Sequence, residues 1–558
     1  MQVTPQARLD EYMAKGWWKD TTIPALLEQA VEAAGDQVAL SDAPNRMELV
    51  GDAPQKLTFN DVNQRVEAMA RAFRHLGVKP DDIVLTQLPN VIEGVLAFLA
   101  CARIGAILSP VAMAFRAHEL RSVIQQLNPS LIVTVETFHG FDHAGMLKSL
   151  AEEGVYTGPV ICAGKKSVFP SISEVEAEAA DMSLQPAPGK AGDVLTICWT
   201  SGTEAAPKGV PRNHAHWVFN GECMVEATRL GRGDTLLNPF PLINIASFGG
   251  MVIPWLLCHG YLIQHHPFDL PIFLRQFQEE KINYTVAPPA VLTMLLKKPE
   301  LLEGIDFARV KCIASGSAPL PPFMVKAWQE EYGVSIMNVF GSNEGCSLIS
   351  TPVVMEDPEM RATFFPRFGV PDLEWDLDFP SKVRTRLVGP ETEEDITQPG
   401  VAGELRIDGA MTFDGYWRND DLTKASFDEQ GFFQTGDLFE IAPENDRFYR
   451  FVGRSKEIII RGGVNISPAE LDNLIESHPD VKEASCAAYP DERLGEKVCA
   501  VVVLQPGASM ELSDLVSYLK AKDISVYKLP EKLRIVPALP RNPLGKVLRR
   551  NLNDIADS

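Results

Sequence analysis

Cysteine is scarce and scattered: there are nine in 558 residues, with no CxxC pair among them. That argues against a structural zinc site or a disulfide framework, and the expected setting is a reducing, cytoplasmic one. Positive charge is also in deficit, 52 Lys and Arg against 74 Asp and Glu, for a formal net charge of −22. Such a surface on average repels nucleic acid and anionic membranes, which leaves only local basic patches for anionic partners. Long hydrophobic runs are missing. The most apolar stretch, VIEGVLAFLACARIGAILSPVAMAF, is broken by Glu93 and Arg103. A membrane-spanning helix rarely tolerates both, so the stretch reads as a buried helix followed by a strand, with no transmembrane segment. The opening MQVTPQARLDEYMAKGWW lacks the basic-then-apolar order of a secretory signal, and the final IADS is not a peroxisomal address. No internal repeat or low-complexity tract stands out.

What is present is an ordinary globular balance, 45% apolar and 23% charged, in a chain longer than one core usually supports. LTFNDVNQRVEAMARAFRHLGV has the spacing of an amphipathic helix, while DIVLTQLP, SLIVTVE and DVLTICW read as buried strands. This alternation predicts α/β layers with largely parallel sheets. LQPAPGKAGD, rich in Pro, Gly and Ala, marks a subdomain junction near 181–193. After FVGRSKEIIIRGG a new block begins, in which Ser467 and Pro468 form a helix start, and the residues that follow suffice for a small α+β domain. The predicted organisation is a large N-terminal domain over 1–453, a hinge at 454–456 and a small mobile domain over 457–558.

The segment WTSGTEAAPKGVPRNH, from Trp199 to His214, has the composition of a phosphate loop. A Walker loop requires GxxxxGK[ST], and here Pro207 precedes Lys208 while Gly209 follows it, so the pattern fails. Thr200, Ser201 and Thr203 still offer hydroxyl groups to phosphate oxygens, and Gly202 allows close backbone approach.

With a strand before it and PKG after it, the segment resembles the signature loop of the acyl-adenylate-forming enzymes. These are the acyl-CoA synthetases, peptide-synthetase adenylation domains and firefly luciferase. Further motifs follow in that family's order. SGSAPL, with Ser315, Gly316 and Ser317, resembles the segment beside the acyl-adenylate. In NVFGSNEG, Phe340 and Gly341 match the adenine platform and Glu344 the magnesium ligand, with Thr200 a further candidate ligand. Asn343 stands where threonine is usual; its amide is expected to meet phosphate or the adenylate. The resemblance makes Asp437 of TGD the ribose acceptor and Arg454 a second ribose or phosphate contact. It also makes Lys456 the pivot, Gly462 and Gly463 the path of a thiol arm, and Lys546 of NPLGKVLRR the catalytic lysine. Arg541, Arg549 and Arg550 lie near that lysine. Ala205 replaces the usual glycine or serine and predicts a stiffer loop.

His214 with His216, and His265 with His266, lack further ligand spacing and read as polar loop histidines. IASGSAP lacks the GxSxG order of a hydrolase. The resemblance implies ATP-dependent activation of a carboxylic acid, with Mg2+ on Glu344 and the nucleotide, followed by transfer to coenzyme A. In FPLINIASFGG, Asn244 replaces a histidine common in relatives. Ile245 stands where 2-hydroxybenzoate enzymes carry asparagine, so Ile245, Phe248 and Met251 point to an apolar medium-chain, alicyclic or aromatic acid; core packing is the competing reading of the same three. Bacterial medium-chain or alicyclic acid CoA ligases are the nearest resemblance. A carrier-protein phosphopantetheine thiol is the alternative acceptor. A luciferase-like oxygenase and a non-catalytic binder stand behind it. A homodimer is the one assembly considered.

Overall fold

The computed structural model describes the chain apart from residues 165–167, 186, 188, 201–206, 346–347, 391, 455–456, 462–463, 492–493, 523, 525, 543–546 and 558. Four large sheets organise it. The first runs in the order Lys208–Asn213, Val194–Thr200, Ile107–Pro110, Ile83–Thr86, Leu131–Val135, Val160–Ala163, parallel except at the Lys208–Asn213 edge. The second has eight strands, from Leu348–Ser350 at one edge to Lys56–Thr58 at the other, and is parallel between its two antiparallel edge pairs. Helices between the strands supply the crossovers that parallel pairing requires, giving the expected mixed α/β layers. A third sheet of five strands between Phe364 and Arg454 is antiparallel throughout, a departure from the parallel rhythm.

The helix Ile92–Ile104 is buried along its whole length, and the strand Ile107–Pro110 follows it. Its two charges survive burial because each is paired. Arg46 donates from Nη2 to Glu93 Oε1 at 2.7 Å and from Nη1 to Asp42 Oδ1 at 3.0 Å. Arg103 donates to Asn63 Oδ1 at 2.8 Å. Asp42 also accepts from the backbone of Ile92 and Gln55, at 2.9 and 3.0 Å. Burial still pushes the Asp42 carboxyl up to about 6, against the pull of Arg46 and the two backbone donors and with the Glu93 charge adding to the rise. Against this core packs Phe59–His75, started by a Thr58–Asp61 capping box and ended with Arg74 and His75 in its last turn.

Residues 181–193 lead into Val194–Thr200, which pairs with Ile107–Pro110 of the preceding segment. The stretch expected to mark a subdomain junction is thus a connection within one sheet. Beyond Arg454, Ser467 caps Pro468–Glu476 through the Glu470 N–H. That helix and a further five-stranded sheet enclose a separate apolar cluster from Ile459 to Leu529. Among the described residues no helix is long and apolar enough to cross a membrane.

The histidines differ from the expected polar loop positions. His214 and His216 open the helix His214–Thr228 and are buried, as is His265. Each has backbone or side-chain partners: His214 Nδ1 accepts from Ile23 N, and His216 Nδ1 accepts from Asn213 N while Nε2 faces Thr412 O at 3.0 Å. His265 sits between Gln276 and Asp269 N. Burial pushes His214 down to about 4, so these rings are neutral spacers between elements.

Candidate active site

Three of the candidate motifs lie at the carboxyl ends of strands in the first two sheets, Val194–Thr200, Cys312–Gly316 and Ile336–Phe340, where crevices form in such folds. Val194–Thr200 and Lys208–Asn213 form an antiparallel pair in which Thr200 faces Lys208 and Trp199 faces Gly209. Ser201, Gly202, Thr203 and Ala205, between them, lie outside the described residues. The shoulders are fixed: Trp199 Nε1 donates to Ser109 Oγ at 2.9 Å, and Trp417 N donates to Gly209 O at 2.8 Å. The Lys208 ammonium stands 5.5 Å above the Tyr416 ring.

Ser315 and Gly316 end one strand of the second sheet, and Phe340 ends its neighbour, with Ser315 opposite Asn338 and Gly316 opposite Val339. Only glycine fits at 316, because a Cβ there would lie 2.1 Å from Val339 O. Ser315 Oγ donates to Ala287 O, and Ser317 holds a left-handed φ of 68°. Phe340 is half-buried, edge-on to Phe439 at 5.0 Å, and Gly341 beside it is exposed. Two residues before Phe439 stands Asp437, buried and paired across the third sheet with Arg454, whose Nε lies 3.1 Å from Asp437 Oδ1. An aromatic face, a carboxylate and a guanidinium thus converge from two sheets.

Glu344 is buried, and Tyr416 donates its hydroxyl to Glu344 Oε1 at 2.9 Å. The backbone nearby is also held: Phe413 N donates to Glu344 O at 2.9 Å, and Arg212 Nη1 reaches both Met411 O and Asn343 O. The 408–414 segment is fastened in turn by the chain's first residues. Thr4 and Arg8 bind Asp414, Arg8 also pairs with Asp408, and Trp18 donates to Ala410 O. Hard carboxylate oxygen at Glu344, oriented by a neutral phenol, suits Mg2+.

The Asn343 amide is engaged on both edges: Nδ2 donates to Trp199 O at 3.1 Å, and Oδ1 accepts from Ile245 N at 2.9 Å. Asn244 caps the short helix Ile245–Ser247 through Ser247 N. Ile245 is half-buried, whereas Phe248 and Met251 are fully buried in the main apolar cluster. The Phe248 ring packs 4.9 Å from Phe98 and 5.7 Å from Trp217. Phe248–Val252 is a π-helical turn, a form that recurs at functional sites. A Cβ on Gly249 would meet Asn220, Trp217 and Ile245 at 3.2 to 3.4 Å.

Lys456, Gly462, Gly463 and Lys546 lie outside the described residues. Their flanks are ordered. Ile459–Arg461 and Val464–Ile466 form a hairpin, and Arg541 bridges Val547 around the lysine segment. Arg549 is held within the small C-terminal part: it pairs with Asp472, lies 3.2 Å from Glu457 Oε2, and donates to Ser485 Oγ and Cys486 O. The sequence reading missed Tyr416 and Arg212, and named Arg549 without its partners. DGYW, two to five residues past the Met411–Thr412 pair, carries no charge pattern that separates its tyrosine from any other loop aromatic.

The pattern of the AMP-binding enzyme matches residues 27–417, and that of the AMP-binding enzyme C-terminal domain matches 470–546. The chain is 28% identical over 555 residues to the salicyl-AMP ligase / salicyl-S-ArCP synthetase of Mycobacterium tuberculosis, covering 98% of this chain and 93% of that one. It is 28% identical over 500 residues to the indoleacetate–CoA ligase of Aromatoleum aromaticum, covering 89% and 93%. Its fold matches that of ATP-bound MatB from Rhodopseudomonas palustris with a TM-score of 0.79, at 24% identity, over 96% of this chain and 99% of that one. A pattern that spans most of the large N-terminal part and a second that falls in the small C-terminal part lead to one conclusion: this chain belongs to the AMP-binding enzyme family.

Proposed function

We propose that this chain activates a carboxylic acid with ATP and passes the acyl group to the thiol of coenzyme A. The observations that carry the reading are two: the Asp437–Arg454 pair, two residues from the Phe439 ring on which Phe340 packs, and Glu344 held by Tyr416, whose ring lies under the Lys208 ammonium. In the first step a carboxylate oxygen attacks the α-phosphorus, the bond to the β-phosphate bridge breaks, and pyrophosphate leaves. Asp437 accepts the ribose hydroxyls, Phe340 packs on adenine, and Lys208 with Thr200 faces the departing phosphates. Glu344 would hold Mg2+, which when bound neutralises phosphate charge. Lys546 stabilises the charge that builds between carboxylate and α-phosphate. In the second step the thiol attacks the acyl carbon, the bond to AMP breaks, and the thioester forms. For this the small domain turns about Lys456, withdrawing Lys546 and bringing Gly462 and Gly463 to the site.

Half-buried Ile245, with no polar side chain to meet an ortho hydroxyl, supports an apolar acid. The names of the relatives, salicyl and indoleacetate, add weight to an aromatic ring. They also keep a second acceptor in view, a phosphopantetheine thiol on a carrier protein. The test is a screen of carboxylic acids varied in chain length, ring and hydroxylation, scored by acid-dependent exchange of pyrophosphate into ATP and then by thioester formation. Exchange with an apolar acid and a thioester on free coenzyme A is the expected result. Exchange without transfer to coenzyme A but with loading of a carrier protein would move the acceptor, and no exchange with any acid would end the reading.

A further inference from the structure

Where related enzymes usually carry a threonine hydroxyl, this chain has an amide, and its two edges point to opposite ends of the site. We propose that Asn343 is a positioning residue that couples the nucleotide end to the acid end. The inference rests on the adenylation reading. Nδ2 holds Trp199 O, one residue before Thr200, where the strand enters the phosphate-facing loop. Oδ1 holds Ile245 N, the first residue of the turn that carries the acid segment. A threonine at 343 has a single side-chain oxygen for both tasks and a shorter reach, whereas an amide separates its donor from its acceptor and satisfies two backbone groups at once.

The span is stiff because Asn343 is buried and its own carbonyl is gripped. Arg212 Nη1 donates to Asn343 O at 3.3 Å, and the same guanidinium donates from Nη2 to Asn220 Oδ1 at 2.5 Å. Asn220 packs against Gly249, its Cβ 3.2 Å from where a Cβ on that glycine would lie, so the second link also ends beside the acid segment. Glu344, the next residue, accepts from the Tyr416 hydroxyl, whose ring lies under the Lys208 ammonium. A nucleotide that draws Glu344 and the Trp199–Thr200 strand into place therefore also fixes Ile245 N. By linkage the acid favours the nucleotide to the same degree. Residue 343 joins two sites from two separated atoms, where a hydroxyl would have to reach both from a single oxygen.

The experiment is hydrogen exchange on the full chain with Mg2+ and α,β-methylene-ATP, comparing wild type with Asn343→Ala and with Asn343→Thr, the polar variant that keeps the packing closest. Wild type should gain protection both around Asp437 and in the segment that begins at Ile245. In both variants the nucleotide should still add protection around Asp437, while the nucleotide-dependent gain in the Ile245 segment shrinks roughly fivefold, about one hydrogen bond's worth. An equal nucleotide-dependent gain in the Ile245 segment of wild type and variants would overturn the coupling role, as would protection at Asp437 alone in wild type. No protection anywhere in wild type would instead strike the nucleotide reading itself.

Discussion

The hydroxyl of Tyr416 and the carboxylate of Glu344, 72 residues apart in sequence, share one hydrogen bond of 2.9 Å. The phenol fixes one carboxylate oxygen and leaves the direction of the other defined. Tyr416→Phe removes the donor but keeps the ring under Lys208. A hydrogen bond to a charged group contributes about 1.5–3 kcal/mol, so adenylation should fall roughly ten- to hundredfold. The deficit should narrow as Mg2+ is raised. A Mg2+ titration of pyrophosphate exchange reads both, and a wild-type titration curve in the variant would remove Tyr416 from the site's support.

Gly345 follows Glu344 with φ of 92°, and a Cβ there would lie 1.7 Å from Met411 O and 2.3 Å from Arg212 Nη1. Neither the backbone nor the engaged guanidinium yields easily. Gly345→Ala should therefore destabilise the fold by on the order of 3 kcal/mol and displace Glu344. Urea unfolding measures the first effect and Mg2+-dependent exchange the second. A variant as stable as wild type would show that the segment has slack.

Asp42 supplies a pH signature. Its folded-state value of about 6 lies above its ordinary carboxyl value of 3.8, so the folded chain holds a proton that the unfolded chain has released. The stability this contributes is complete below the unfolded value and disappears as pH rises through 6. Relative to Asp42→Asn, wild type should lose about 1 kcal/mol between about pH 5.5 and about pH 7.5. Paired denaturant curves at the two pH values test it. A constant difference would mean that Asp42 is already ionised in the folded core.

Lys546→Ala should cut acid-dependent pyrophosphate exchange by on the order of 10²–10³-fold while sparing acyl transfer from a preformed adenylate. A bulky residue at Gly463 should do the reverse. Equal loss of both half-reactions in either variant would dissolve the proposed division of labour.

Regular elements were the legible part of the sequence. The alternation of apolar runs announced layered α/β structure, and the interruptions at Glu93 and Arg103 correctly argued for a buried helix over a membrane span. What those charges pair with was not legible, since Asp42 and Arg46 come from a distant segment. The HxH pair was misjudged for a related reason. Histidine looks polar in isolation, but His214 and His216 open a helix whose partners, Ile23 N and Thr412 O, exist only after folding. Phe248 and Met251 are fully buried, which suits either reading the sequence left open, acyl pocket or core, because one apolar spacing serves both uses. Tyr416 escaped notice because its meaning lies entirely in its distance from Glu344.

Arg549 sits three residues from Lys546 and is bound to Asp472 on one helix, to Cys486 on a strand, and to Glu457 just past the proposed pivot. Three residues of chain pay out at most roughly 10 Å. The lysine is on a short leash whose post is the small domain itself. In the proposed cycle, then, Arg549 ties the lysine segment to the small domain, so a turn of that domain about the hinge would carry the lysine with it.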